Sequence, residues 1–241
     1  MKPLNCFNPR RFHVEPFDND LVKPMIVENH YLKRWPANAQ NCFGVIHDKS
    51  RLVGALVFGG PVRRDLSKSI SPCVKNEEIA ELLRVWIEDG PFTDGFGTGL
   101  ESWAIAQAFK MLPTGKLLVV SYADPSAGHT GKIYQALNGL YQVVPHSFAT
   151  YQVNYTDPND PNGWITSRSQ QRIFGRHDDQ SIKRKLNKTF WKRRDAHKYR
   201  YLWILEKKRR KAIEETLYYP RSPYPKETVQ APAIEEITVT E

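Results

Sequence analysis

The 241-residue chain is 40% hydrophobic, has a mean hydropathy of −0.56 and carries a formal net charge of +9. That is enough apolar residue for a real core, yet no run approaches the roughly 18–20 residues of a membrane span. Three cysteines (Cys6, Cys42, Cys73) without a C-x-x-C pair exclude a disulfide framework or zinc knuckle, and the N-terminus lacks a secretory apolar segment, so the expectation is an intracellular protein with reduced thiols.

In chain order, C-F-G-V-I-H (42–47) and L-V-G-A-L-V-F (52–58) flank the polar D-K-S-R, which predicts an antiparallel hairpin. Residues 77–87, E-E-I-A-E-L-L-R-V-W-I, read as a strand. Its second half alternates, placing Leu82, Arg84 and Trp86 on one face and Leu83, Val85 and Ile87 on the other. The loop 89–99 is glycine-rich, and 100–112 has the spacing of an amphipathic helix stopped by P-T-G. A strand at 116–123, a helix at about 129–138 and a strand at 141–144 follow. Residues 155–180 read as a surface excursion, and K-Y-R-Y-L-W-I-L (198–205) as a strand returning to the sheet.

A hairpin feeding strand–helix–strand–helix–strand predicts an α/β (α+β) fold with a mixed sheet flanked by helices. The expectation is one domain over 1–211, then an acidic, proline-containing tail over 212–241 whose last part is disordered.

Charge is unevenly spread. Residues 168–211 hold 17 Lys/Arg against 4 Asp/Glu, a local +13 interleaved with Phe190, Trp191, Tyr199, Tyr201 and Trp203. Such a block is either a solvated basic face or a grip on a polyanion, because each neutralised phosphate releases a counterion. As a nucleic-acid surface its candidate contacts are Lys183, Arg184, Lys185, Lys192, Arg193, Arg194, Lys198 and Arg200.

Gly95, Gly97 and Gly99 precede the helix at 100, where free backbone N–H groups and a helix N-terminus suit a pyrophosphate; glycines also make ordinary tight turns. L-L-R-V-W-I, these glycines, L-E-S-W-A-I, V-V-S-Y-A-D and G-K-I-Y-Q-A-L together resemble the core of the Gcn5-related N-acetyltransferases. That resemblance implies an acyl-coenzyme A donor held at the glycine loop, with Tyr134 as general acid. The superfamily loop begins with Arg or Gln, whereas this one has Asp94, a carboxylate that would repel a pyrophosphate.

A closer resemblance spans most of the chain. S-Y-A-D-P-S-A-G-H-T-G-K-I-Y-Q-A (121–136), N-H-Y upstream and K-Y-R-Y downstream are similar to the bacteriophage Mom proteins. The resemblance implies modification of adenine N6 in phage DNA to the carbamoylmethyl derivative, protecting it from host restriction enzymes in the host cytoplasm. It also implies His30, Tyr31, Arg84, Asp124 and Tyr134 as site residues, and an association with iron.

The residues themselves bear several readings. In H-Y-L-K-R-W (30–35) helical spacing would pair His30 with Arg34 and Tyr31 with Trp35. His30 is a surface histidine or, joined to Asp124, either a metal ligand of the type expected for iron or an acid–base group. Asp-Pro after a strand is a common turn device, so Asp124 is either that or an acid–base group. Tyr134 is a core aromatic or a proton donor, and His129 reads as a turn or cap residue. Arg84 on a central strand should face an anion or a cavity, because an unpaired buried charge is costly.

Adenine's exocyclic amine lies within the duplex, so an enzyme acting there must flip the base and stack it. Trp35, Tyr31 and Phe148 are candidate stackers, the basic block would hold the duplex, and Asp124 or Tyr134 would manage the N6 proton. The expected partner is double-stranded DNA, with no membrane and an open oligomeric state, a homodimer among the options. Two other readings compete: an acyl-CoA-dependent acetyltransferase for a protein or small amine, and a non-catalytic DNA-binding protein.

Overall fold

The computed structural model describes residues 8–90, 98–145, 150–160, 163–195, 198–226 and 233–238. Where the sequence predicts one domain with a tail, the contacts fall into two compact units. The larger comprises residues 1–123, 130–144 and 199–226, and the smaller 124–129, 145–198 and 227–241. The basic segment 168–211 is therefore shared between the two.

The larger unit opens with β1 (Phe12–Phe17) and α1 (Asn19–Asn29). Asp18 caps α1 by accepting from the Asp20 N–H, and Val22 and Ile26, one turn apart, bury its inner face. The predicted hairpin is β2 (Ala39–His47) and β3 (Arg51–Gly59), followed by β4 (Ile79–Ile87). Next come α2 (Gly99–Met111), β5 (Leu118–Ala123), the short α3 (Lys132–Ala136) and β6 (Leu140–Gln142). In α2 the buried residues Leu100, Ala104, Ile105 and Ala108 recur at helical spacing.

The smaller unit holds β7 (Tyr151–Asn154), α4 (Ser167–Phe174), α5 (Asp179–Leu186) and β8 (Phe190–Arg194). The chain then returns to the larger unit as β9 (Tyr199–Ile204) and α6 (Arg210–Glu215), and ends in the smaller one with β10 (Ile234–Ile237).

The seven-stranded sheet runs β1-β2-β3-β4-β5-β9-β6, so the returning strand inserts between β5 and β6. Its pairs are antiparallel except β4–β5, which is parallel. This is the mixed sheet flanked by helices that the element order predicts. One core, with Leu82, Val119, Ala123, Tyr201 and Trp203, packs under α2 and α3. On the opposite face Val22 and Ile26 of α1 meet Cys42, Ala55 and Val57, and Leu118, Val120, Leu202 and Ile204 gather with Ile213 of α6.

The β4–β5 ladder is short. It runs from Ile79↔Leu118 to Leu82↔Ser121, after which β4 continues to Ile87 beside β3 and β5 to Ala123 beside β9. A register shift accompanies the parting. Val57 faces Arg84 while Phe58 faces Leu82, leaving Leu83 as an extra residue. The strict alternation predicted for 82–87 is therefore broken. Leu82 joins Val85 and Ile87 against α2, and Leu83 joins Trp86 against the α1 face.

After α6 a strap closes the edge strand β6. Tyr218 N–H donates to Ile70 O, the Gln142 amide to Tyr219 O, and Ser222 N–H to Tyr141 O. Farther along, Gln135 of α3 donates to Pro225 O at 3.3 Å. The sequence predicts a tail from 212; residues 212–226 instead belong to the larger unit, and β10 pairs with β8.

Gly131 tests how α3 is seated. Its φ is +80°, and an added Cβ would lie 2.5 Å from Cε2 of the buried Tyr201 ring. Gly131→Ala should cost more than about 1 kcal/mol, since both backbone strain and a ring clash oppose it. A melting temperature unchanged from wild type would refute that account.

Candidate active site

Where β4 and β5 part, the larger unit brings together three of the residues singled out in the sequence. Arg84 sits two residues past the last β4–β5 pair, aligned with Val57 of the α1-facing core. Its Nη1 donates to the neighbouring Leu83 O at 2.6 Å, and its buried Nε has no hydrogen-bond partner. Burial depresses its pKa. The phenols of Tyr31 and Tyr134 and the carboxylate of Glu81 counter that effect, while Arg34 reinforces it. A buried guanidinium with a spare donor is costly unless an anion or polar group meets it.

Tyr134 comes from α3. Its ring lies 5.3 Å from that of Tyr201 and edge-on to Trp203 at 5.5 Å, so aromatic packing fixes its direction. Burial pushes its phenol pKa up, and the hydrogen bond with Ser121 and the Arg84 charge pull it back. Ser121, 1% exposed, gives its own hydroxyl hydrogen to Leu82 O at 2.9 Å. Tyr134 thus packs against the core beneath α3. Nothing in the sequence singled out Ser121; the pairing of β5 with Leu82 reveals it.

The segment 30–35 is not helical, which corrects the predicted faces. His30 is the C-cap of α1 with an extended ψ of 138°, and Lys33 N–H turns back to His30 O. Pairing by helical spacing therefore fails, yet Tyr31 and Arg34 both act on Arg84. Tyr31 is 39% exposed and stacks on His30 at 4.4 Å, leaving part of its surface to solvent. Trp35 packs with the α1-facing core.

Asp124 follows β5 directly but belongs to the smaller unit, whereas His30 belongs to the larger. Asp124 is 7% exposed and pairs with Lys198 Nζ at 3.5 Å. Its backbone carbonyl accepts from the N–H groups of Ala127 and His129, the turn role that the sequence offered for both Asp-Pro and His129. Nearby Asp195 went unnoticed in the sequence. Burial pushes its pKa up, Lys198 lowers it and Asp124 raises it again. Gln152 links it, donating to Asp195 Oδ1 at 3.0 Å while accepting from Arg193 Nε at 2.9 Å.

His30 Nδ1 accepts from Leu32 N–H at 3.1 Å, and among the described residues no three His, Cys, Asp or Glu side chains could hold one ion. The described donors do not fit an iron site. Gly95, Gly97, Asp94 and Phe148 lie outside the described residues. Gly99 opens α2, but Glu101 stands in the same first turn, its pKa raised by burial and by Asp89. Of the expected phosphate loop only Thr98 and Gly99 are described.

The basic block divides by what each cation already does. Lys192 pairs with Asp179 at 2.9 Å and lies 4.3 Å over the Tyr151 ring. Arg193 lies 4.1 Å over Trp164, and Lys185 Nζ donates to Ile173 O. Arg200 departs most from expectation. It is 2% exposed in the larger unit, donates to Ser69 Oγ and O, and faces the Tyr219 ring. It is interior, and no duplex can reach it. Arg184 and Arg194 are exposed and Lys183 half-exposed.

The family model described as the Mom protein family matches residues 11–226, and the chain belongs to that family. The methylcarbamoylase Mom of Escherichia phage Mu is 27% identical over 228 residues, covering 91% of this chain and 86% of that protein. Among solved structures, a Bacillus subtilis acetyltransferase in complex with CoA matches at 14% identity and a TM-score of 0.40, covering 81% of this chain and 99% of that one. Arabidopsis thaliana NAA60 in complex with acetyl-CoA matches at 10% and 0.43, covering 80% and 99%. Among the described residues no helix is long and apolar enough to cross a membrane.

The orphaned Nε makes a direct prediction. Arg84→Met should leave thermal stability unchanged or raise it by about 1 kcal/mol, because an apolar side chain relieves an uncompensated charge. A clear drop in melting temperature would mean that Arg84 braces the fold.

Proposed function

We propose that this Mom-family chain is a phage DNA-modifying transferase that converts adenine N6 to its carbamoylmethyl derivative in the host cell, sheltering the DNA from host restriction enzymes. The observation that carries this is the family match over 11–226, read with the gathering of Tyr31, Arg84 and Tyr134 that it encloses. The phage Mu relative, a methylcarbamoylase by name, supports the group transferred.

The site's own residues suit that chemistry. A flipped adenine needs a flat surface, and the partly exposed Tyr31 stacked on His30 offers one. Substitution at the weakly nucleophilic amine develops negative charge on the group being attacked or displaced, where Arg84 would act. Tyr134 would take or return the proton, its ring held by Tyr201 and Trp203. Asp124 and Asp195 remain candidate acid–base groups of the smaller unit.

Mass spectrometry of nucleosides from DNA co-expressed with the protein tests the reading directly. A carbamoylmethyl-adenosine peak in wild type, lost in Arg84→Met, is expected. Unmodified DNA together with acetylated protein or small amines would favour an acetyltransferase. Unmodified DNA with tight duplex binding would leave a non-catalytic DNA-binding protein.

The same reading assigns the duplex grip to cations that are not committed inward. Lys183, Arg184 and Arg194 are those cations, with Lys188, which is exposed and 5.1 Å over the Tyr155 ring. Replacing Lys183, Arg184 and Arg194 by Ala should lower the slope of log K against log salt by roughly 2–3 for duplexes of any sequence. Lys192→Ala should lower the melting temperature and leave the slope nearly unchanged. Equal slopes in the triple variant and wild type would remove the assignment.

A further inference from the structure

We infer that β10 is an autoinhibitory strand: its carboxylates sit against the basic strand β8, and a duplex binding there must compete with them. The inference rests on the duplex grip proposed above and concerns the smaller unit alone.

β8 is the middle strand of the sheet β10-β8-β7. Its sequence F-W-K-R-R ends in three consecutive cations, and β7 pairs with one edge of it. The second edge offers backbone N–H and C=O groups beside those cations, so it suits another strand. β10 takes that edge in antiparallel register, Ile234 against Arg193, Glu235 against Lys192, Glu236 against Trp191 and Ile237 against Phe190. The segment supplying this strand is acidic: residues 227–241 hold four Glu and no Lys or Arg.

Register decides which cations the carboxylates meet. Side chains alternate along a strand, so Lys192, Arg194 and Glu235 share one face of the sheet. It is the face on which Val153 and Phe190 pack with Phe174 of α4 and Ile182 of α5. Glu235 lies straight across from Lys192 and diagonal to Arg194, a separation of roughly 7–8 Å in such a ladder. That is inside the Debye length of about 10 Å at about 0.1 M salt, so Glu235 acts on a cation assigned to the duplex. Lys192 already pairs with Asp179 at 2.9 Å. One ammonium thus faces two carboxylates, and the charge of Glu235 is left to hold Arg194 and to repel phosphate.

β10 gains little from these glutamates as a structural strand. Ile234, Glu235 and Glu236 are exposed, and Ile237 supplies the contact with the apolar cluster of Val153, Phe174, Ile182 and Phe190. Charges can also guard an exposed edge against pairing with another chain. That role alone would leave duplex affinity untouched, whereas competition would not.

Glu235→Gln combined with Glu236→Gln removes both charges while keeping side-chain size and the strand. Anisotropy of a fluorescently labelled duplex of random sequence, titrated with the whole chain, should show binding about three- to tenfold tighter than wild type at about 50 mM salt. The gain should shrink to less than about twofold at about 200 mM, as screening removes the competition. Glu214→Gln with Glu215→Gln makes the same change in net charge on exposed residues of α6 in the larger unit. That control should stay within about twofold of wild type. Wild-type affinity in the β10 variant overturns the inference and leaves the two glutamates as edge guards. An equal gain in the α6 control overturns it too, because net charge alone would then explain both. If wild type and the β10 variant both fail to bind duplex, the grip itself is refuted, and the inference falls with it.

Discussion

The larger unit is organised by one constraint: its single parallel strand pair holds for only four residues and then opens. Up to Leu82 and Ser121 the backbone groups of β4 and β5 satisfy each other, and beyond that point they do not. A sheet interrupted in its interior exposes peptide groups that must find other partners. The Ser121 hydroxyl takes Leu82 O, the Arg84 side chain takes Leu83 O, and the extra residue at Leu83 bends the strand away. The same opening lets a phenol from α3 on one face and a phenol from beyond α1 on the other act on one guanidinium.

Much of the framework was legible because burial imposes periodicity. The 42–58 hairpin, the α2 spacing, the apolar run of β5 and the alternating K-Y-R-Y-L-W-I-L all appear as elements within a few residues of their predicted bounds. The three-stranded sheet β10-β8-β7 was not legible. Its strands are short and carry Lys, Arg and Glu on their outer faces, so charge masks the apolar alternation. The site was legible in types and not in arrangement. A bulge cannot be read from L-L-R-V-W-I, and it reassigns the faces of Leu82 and Leu83. The end of α1 at His30 likewise undid a helical pairing while keeping Tyr31 within reach of Arg84.

Arginine shows why residue type alone misleads. Arg84 and Arg200 both sit on central strands, both have a depressed pKa from burial, and both leave Nε without a partner. Their surroundings differ. Arg200 is enclosed by Ser69, Tyr122 and the Tyr219 ring, with both terminal nitrogens donating to protein oxygens. Arg84 has one such bond, to its own neighbour. The first is a strut whose donors are nearly satisfied, and the second keeps hydrogen-bonding capacity in reserve. In sequence they are the same letter between apolar neighbours.

The strap over β6 has a consequence in time. Gln135, adjacent to Tyr134, reaches three oxygens: Thr130 O, the Tyr201 hydroxyl and Pro225 O. Two of these partners lie 66 and 90 residues downstream of it. While the chain is being made, α3 can be formed but not fully tethered, because β9 and then Pro225 have yet to leave the ribosome. A chain that stops before residue 225 lacks the Pro225 anchor of the helix that carries Tyr134.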